Sequence, residues 1–511
     1  MNLLATVLFL PLAGFLLALC LPRSAADAGR RWALVVSLVT FVTSLGLLFS
    51  FDRNQAAEQL GIDLPWIASP NIHFAISVNG ISLWLMLLTT LLTPICVLIS
   101  WRSIRNRSKE YYAFLLLLEF GLIGVFLSQD LFLFYVFWEI SLVPMYFLIG
   151  IWGHDRRIYA AVKFFLFTMA GSVLMLVAII YLYNHAHTFN YAAILAQFSS
   201  GQLHFTHREQ MLLFLGFFIA FAIKVPLFPV HTWLPDAHVE APTAGSIMLA
   251  SVMLKMGTYG ILHFCVPLFP SAARECSGWI ATLAIIGILY GALVAMVQPN
   301  MKKLVAYSSV SHLGFVVLGI FSFTQQGMDG AVYQMLNHGI STGALFLFVG
   351  LLYERRHSLE IADYGGVATS APWLSSMMLI TTLASIGLPT LNNFVGEFLV
   401  LQGTARAHFE WTVWASLGVI FSACYMLWLY QRVFYGEAGE EVRSHVSDLR
   451  GREWAAVIPL LAMMVWMGVY SQSFLPPVGK VTANVLAQSE VNVPYRVRVQ
   501  PTEHGEVAHV R

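Results

Sequence analysis

The sequence predicts an all-α membrane protein of about fourteen transmembrane helices, two of them discontinuous. Three observations lead there. Of the 511 residues, 58% are hydrophobic and 11% are charged, whereas soluble domains carry about a quarter charged residues. Apolar runs long enough to cross a bilayer recur about fourteen times. Basic residues collect in alternate connections between those runs.

The runs lie near 2–22, 31–51, 78–101, 110–128, 131–153, 158–184, 209–233, 241–268, 277–297, 301–322, 328–353, 371–400, 410–432 and 453–475. The first, MNLLATVLFLPLAGF, has no basic leader and reads as a retained helix. Runs 301–322 and 328–353 contain several polar residues and fit the apolar pattern least well. The stretch 433–452 is a polar loop, and 476–511 has no apolar run long enough to span.

Loop charge predicts the orientation. One set of loops holds seventeen basic residues: Arg23, Arg30, Arg31, Arg102, Arg105, Arg107, Lys109, Arg156, Arg157, Lys302, Lys303, Arg355, Arg356, Arg432, Arg443, Arg450 and Arg452. The other set holds four: Arg53, Arg208, Arg274 and Arg406. The basic set belongs in the cytoplasm, so both termini are expected in the periplasm. That requires an even number of helices.

Composition also excludes functions. The five cysteines, at 20, 96, 265, 276 and 424, stand singly with no C-x-x-C spacing, which argues against cluster ligation and a disulfide framework. No Walker loop or dinucleotide fingerprint occurs. The chain is therefore expected to hold no redox centre and no nucleotide site of its own.

Two runs look broken. KVPLFPVHTWLP, 224–235, has three prolines, each lacking a backbone donor. SIGLPTLNNFVGEF, 385–398, combines Gly387, Pro389 and the Asn392–Asn393 pair. They fall in the seventh and twelfth helices, five apart, each beside a charged residue. Paired interruptions of this kind point to an inverted-repeat transporter with helices 4–8 and 9–13 as repeats. The plainer alternative is two proline kinks, which leaves the neighbouring charges unexplained. The expected divisions are 1–109 (helices 1–3), 110–268 (first half), 269–435 (second half) and 436–511 (loop, last helix and tail).

Four charged residues sit inside apolar runs: Glu139 in LFLFYVFWEISLVPMYFLIGI, Lys224 in MLLFLGFFIAFAIKVPLFPV, Lys255 in SIMLASVMLKMGTYGIL and Glu397 in LPTLNNFVGEFLVLQG. A charge at bilayer depth costs at least about 2.5–3.5 kcal/mol. Acids alternating with lysines suit proton exchange, since lysine changes charge on burial and arginine does not. A carboxylate at Glu139 would hold a proton on Lys224, and its withdrawal would release that proton. A static Glu139–Lys224 ion pair is the alternative, but it leaves Lys255 and Glu397 without a role. His231, His312 and His338 extend the series as possible relay groups or as packing residues. Tyr307, Ser308, Ser309, Ser311 and Asn337 are positioned to hold water between them. A metal reading of His231, Asp236, His238 and Glu240 is weaker, because a proline interrupts the ligand spacing.

Two stretches carry a family resemblance: KVPLFPVHTWLPDAHVEAPTAGSIMLASVMLKMGTYG, 224–260, and GALVAMVQPNMKKLVAYSSVSHLGFVVLG, 291–319. They resemble the signature of the antiporter-like subunits of proton-pumping NADH:quinone oxidoreductase, respiratory complex I. Mrp-type cation/proton antiporters and some membrane-bound hydrogenases share it. Within complex I, subunits L and N carry lysine in the twelfth helix and one sibling carries glutamate; Glu397 matches the sibling.

The resemblance implies that Glu139 pairs with Lys224, that Lys224 is central to the first half-channel, that Lys255 bridges the halves and that Glu397 ends the second. It further implies a bacterial inner membrane, subunits L and N as neighbours, and NADH, FMN, iron–sulfur clusters and quinone in other subunits. A redox-independent antiporter subunit, or a scaffold with purely structural charges, remain the competing functions.

Overall fold

Where no water reaches the backbone, a chain must satisfy its own hydrogen bonds, and a helix does so within one segment. The computed structural model describes residues 2–22 and 26–490. Its long helices are α1 (Leu3–Cys20), α2 (Ala26–Ser50), α3 (Ser82–Ser103), α4 (Ser108–Leu127), α5 (Leu131–Trp152), α6 (Arg157–Ala186), α7a (His207–Lys224) and α7b (Trp233–Glu240). After them come α8 (Thr243–Leu268), α9 (Pro270–Met296), α10 (Met301–Phe321), α11 (Gln325–Arg356), α12a (Pro372–Ser385), α12b (Asn392–Ala407), α13 (Phe409–Phe434), α14 (Gly451–Val469) and α15 (Leu475–Glu490). Twelve helices among the described residues are long and apolar enough to cross a membrane; α7a, which carries Arg208, Glu209 and Lys224, and the two short halves of α12 are not among them.

Starts are set by side chains that satisfy the first free amides. Asp130 accepts from Phe132 N and Leu133 N at the head of α5. Asn300 does the same for α10 and Thr324 for α11. Thr206 and Glu209 form a reciprocal capping box on α7a.

The breaks fall where the prolines and glycine put them. α7a stops at Lys224, and the chain turns through Pro226 and Pro229 before α7b. Pro235 sits in the first turn of α7b, where its missing donor costs nothing. α12a ends at Ser385; Gly387, at φ +76°, and Thr390, at φ +82°, turn the chain into α12b.

The centre is built from α8, α10 and α11, whose apolar windows are buried in full or nearly so, while α1, α2, α6, α13 and α14 expose much of their surface. The polar residues that make runs 301–322 and 328–353 poor apolar segments thus belong to the innermost helices. They face protein, not lipid. α8 is not uniform: π-helical turns at Leu249–Met253 and Ile261–Cys265 bracket the α-helical Leu254–Gly260. In each five-helix group, α4–α8 and α9–α13, the fourth helix is the broken one.

Some elements were not apparent from apolar runs. An antiparallel hairpin, β1 (Gln59–Ile67) and β2 (Ile72–Val78), joins α2 to α3. A short helix, Tyr191–Ser199, is capped by Asn190. α15 occupies the start of the tail and packs on α11, where Gln325 Nε2 donates to Thr482 Oγ1 at 2.8 Å. Residues 491–511 of that tail lie outside the described residues.

Candidate functional site

α10, α11 and α12b bring one buried polar set together. Close approach of α11 and α12b makes it possible. A β-carbon at Gly403 would lie 2.2 Å from Gly327 N, and one at Gly396 would lie 2.5 Å from Gln334 Oε1. With the helices that near, Glu397 reaches the polar face of α11 and accepts from Gln334 Nε2 at 3.0 Å. The same oxygen lies 2.9 Å from His312 Nδ1 on α10. Asn337 Nδ2 donates to Gln334 Oε1 at 3.2 Å, and Asn392 Nδ2 to Asn337 O at 3.1 Å. Ser341 Oγ reaches Asn393 Oδ1 at 3.2 Å, and Asn393 Nδ2 donates back to Ser385 O at 3.3 Å. The break in α12 is thereby tied to both helices and to its own first half.

Lys255 joins this set from α8. Its Nζ lies 2.6 Å from His338 Nδ1 and 2.6 Å from Ala250 O, a carbonyl in the first π-helical turn. The His338 and His312 rings are 5.9 Å apart between centroids. Nε2 of each is buried with no hydrogen-bond partner. Lys255, His338, His312 and Glu397 therefore form one row, closed by direct contacts at both ends and open between the two rings.

The first half is looser. Lys224 is 1% exposed, and its Nζ makes no hydrogen bond. It lies over the rings of Trp138 and Phe164, 5.3 and 5.4 Å from their centroids, a cation–π setting. Glu139 is half-buried on α5, with Tyr135 beside it and Oε1 unpartnered. It is within electrostatic reach of Lys224, but no ion pair joins them among the described residues. The static-pair alternative does not describe this geometry. His231, at the α7 break, is buried and stacked on Phe228 at 5.6 Å with both ring nitrogens unpartnered. α7a meets α8 closely between the two lysines: a β-carbon at Gly257 would lie 2.7 Å from Phe221 O.

Of the expected water-holding residues, Ser308 and Ser309 donate to Val305 O, and Ser311 to Ile288 O. The four candidate metal ligands of the α7b region do not converge. Asp236 pairs with Lys163 at 2.6 Å, Glu240 accepts from Arg156 N at 2.9 Å and His238 stacks on Phe346. No three His, Cys, Asp or Glu side chains come together for a metal among the described residues.

Two buried groups, Lys302 and Glu119, escaped the sequence reading, and His238 entered it only as a candidate metal ligand. Lys302, counted there as a loop residue, is 1% exposed and donates to Ala241 O at 2.7 Å. His238 is fully buried within reach of both Lys302 and Lys255, its ring nitrogens unpartnered. Glu119 is fully buried in α4. Only Glu119 had a visible signal, a single acid in the middle of FLLLLEFGLIGVFL.

Comparison with known proteins bears on this arrangement. A family model described as "NADH:quinone oxidoreductase/Mrp antiporter, TM" matches residues 128–422. The NADH-quinone oxidoreductase subunit M of Rhodobacter capsulatus is 46% identical, covering 95% of this chain and 96% of its own. A chain in the structure of respiratory complex I from Thermus thermophilus with bound NADH superposes with a TM-score of 0.85 at 34% identity, over 94% of this chain and 99% of that one. A chain of the Mrp complex from Dietzia sp. DQ12-45-1b reaches a TM-score of 0.81 at 19% identity, over 96% and 99%, a likeness of fold alone.

Proposed function

The chain belongs to the antiporter-like membrane subunits of NADH-quinone oxidoreductase, of the subunit M type, and on that premise we propose that its buried Glu, Lys and His series carries protons across the membrane. As a subunit of a translocase it works without a redox centre of its own; NADH, FMN, iron–sulfur clusters and quinone act in other subunits.

The observation that carries the proposal is the row Lys255–His338–His312–Glu397, with its 2.6 and 2.9 Å contacts. An ammonium at Lys255 donates to His338 Nδ1, which must then be the unprotonated ring nitrogen. A proton gained at Nδ1 is matched by one lost at Nε2, which is buried without a hydrogen-bond partner. The His312 ring is the next titratable group, 5.9 Å away between centroids. His312 Nδ1 hands on to Glu397 Oε1. One transfer leaves each imidazole with its proton on the opposite nitrogen, so the row must return both rings to the first tautomer before the next proton can follow. Lys224, with Glu139 and His231, serves the first half in the same way, with Glu139 acting through charge and not through contact.

Further parts of the reading follow from loop charge and the family. Helices α4–α8 and α9–α13 are two inverted repeats, and residues 1–109, 110–268, 269–435 and 436–511 are the corresponding divisions. With α7 and α12 counted as spans, fourteen crossings place both termini in the periplasm of a bacterial inner membrane. Subunits L and N are the neighbours. The test is NADH-driven proton uptake by inverted vesicles: Lys255→Ala is expected to abolish it with the subunit still assembled, and normal uptake would refute the relay.

A further inference from the structure

Glu119 lies midway along α4 and is fully buried. Among the described residues it is the only acid with both carboxylate oxygens buried and outside hydrogen-bonding geometry, with the Thr93 hydroxyl its nearest polar neighbour. A buried polar group without partners is costly, and in an otherwise apolar stretch of helix a leucine would pack as well. Its polar neighbours are on α3. Thr93 and Cys96 lie beside the carboxyl group; Thr93 gives its hydroxyl proton to Thr89 O at 3.0 Å, and Cys96 Sγ points to Ala244 O of α8 at 3.7 Å.

These residues belong to a row. Thr89, Thr93, Cys96 and Ser100 are all buried, and their steps of three and four place them on one face of α3. At one end Ser100 Oγ meets the Tyr111 hydroxyl at 2.9 Å. Tyr111 stands edge-on to Trp152 at 5.2 Å, and Trp152 lines a cavity with Arg102, Arg105, His154 and Arg355. At the other end, Leu88 next to Thr89 packs against Gly339 and Ser251 O comes close to the same glycine, so the row ends beside His338 and one turn from Lys255. Glu119 is eight residues along α4 from Tyr111, about 12 Å further in.

We propose that Glu119 is a further proton-exchanging residue of this subunit, loaded from the arginine-lined cavity along the α3 row and discharging toward the Lys255–His338 layer. It rests on the proton-translocating reading above. The step moves one proton only. A carboxylate oxygen takes it from water in the cavity through the hydroxyls, each gaining one proton and giving one up, and later loses it; no electron moves.

The test uses the assembled complex in inverted vesicles. Glu119→Gln keeps size and hydrogen bonding but cannot exchange a proton, Glu119→Asp keeps the carboxyl group, and Lys224→Ala checks the parent reading. Two quantities are measured: proton uptake per NADH oxidised, and the carboxylic C=O bands in the infrared difference spectrum between oxidised and NADH-reduced states. Glu119→Gln is expected to lower uptake and delete one band; Glu119→Asp is expected to restore part of the uptake and move that band. Wild-type uptake and an unchanged spectrum in Glu119→Gln, with uptake abolished in Lys224→Ala, would overturn this proposal alone. Normal uptake in Lys224→Ala would overturn the parent reading. Should Glu119→Gln fail to assemble, an infrared spectrum of Glu119→Asp identical to wild type would overturn the proposal.

Discussion

Gly387 and Glu397 are fitted to each other across the break in α12: a β-carbon at 387 would stand 3.1 Å from Glu397 Oε2, and residue 387 holds φ +76°. The turn that interrupts the helix is also one wall of the carboxylate's site. Gly387→Ala is expected to cost about 1–2 kcal/mol in backbone strain alone and to push the carboxylate from His312. Assembly should survive in part while proton uptake per NADH falls below the level expected from subunit content. Uptake that tracks content would show the fit to be incidental.

Glu397 itself should need an ionisable group more than a particular sign. Glu397→Asp and Glu397→Lys are expected to retain a sizeable fraction of pumping, and Glu397→Gln and Glu397→Ala to lose more. The Asp variant reads distance, because its carboxylate is one methylene shorter and proton transfer depends on reach. Pumping per NADH in membranes with matched subunit content decides. If Gln equalled wild type, the carboxyl group would only be holding Gln334 and His312 in place.

Lys224→Ala should assemble and lose most proton pumping together with much NADH-driven quinone reduction. The lysine has no hydrogen bond to break, only the two aromatic rings to leave, so folding should suffer little. Loss of assembly before loss of pumping would make the residue structural.

Orientation is tested with a reporter active only after export. Fused at Arg511 it should give a strong signal, and placed at Gly436 it should give none. The opposite pattern would refute the periplasmic termini and the count of fourteen crossings together.

The helices were legible because a spanning run is long and continuous: 131–153 is α5 at Leu131–Trp152, and 301–322 is α10 at Met301–Phe321. The breaks were legible because proline and glycine act locally. What could not be read was direction. Glu139 and Lys224 look like a pair by their charges, yet Glu139 lies beside Tyr135, while Lys224 faces Trp138 and Phe164. Lys302 reads as a loop residue by its position and Lys303 neighbour, and only packing against Ala241 shows it to be internal. The β1–β2 hairpin lacked clean alternation, since most of β1 is exposed on both faces.

The two wide turns of α8 make winding, not residue count, the quantity that aims Lys255. Each π-helical turn takes in one residue more than a regular turn, so every side chain beyond it is set back by about 100° around the axis relative to a regular helix of the same length. Seen as a rotary scale, α8 carries one such offset before Lys255 and a second after Gly260. A change that closed the Leu249–Met253 turn into a regular helix with every residue kept would swing the ammonium group by that angle, away from His338. Loss of one residue from that turn, by contrast, restores a regular helix with Lys255 still aimed at His338, so this segment tolerates a shorter chain better than an equally long one that winds regularly.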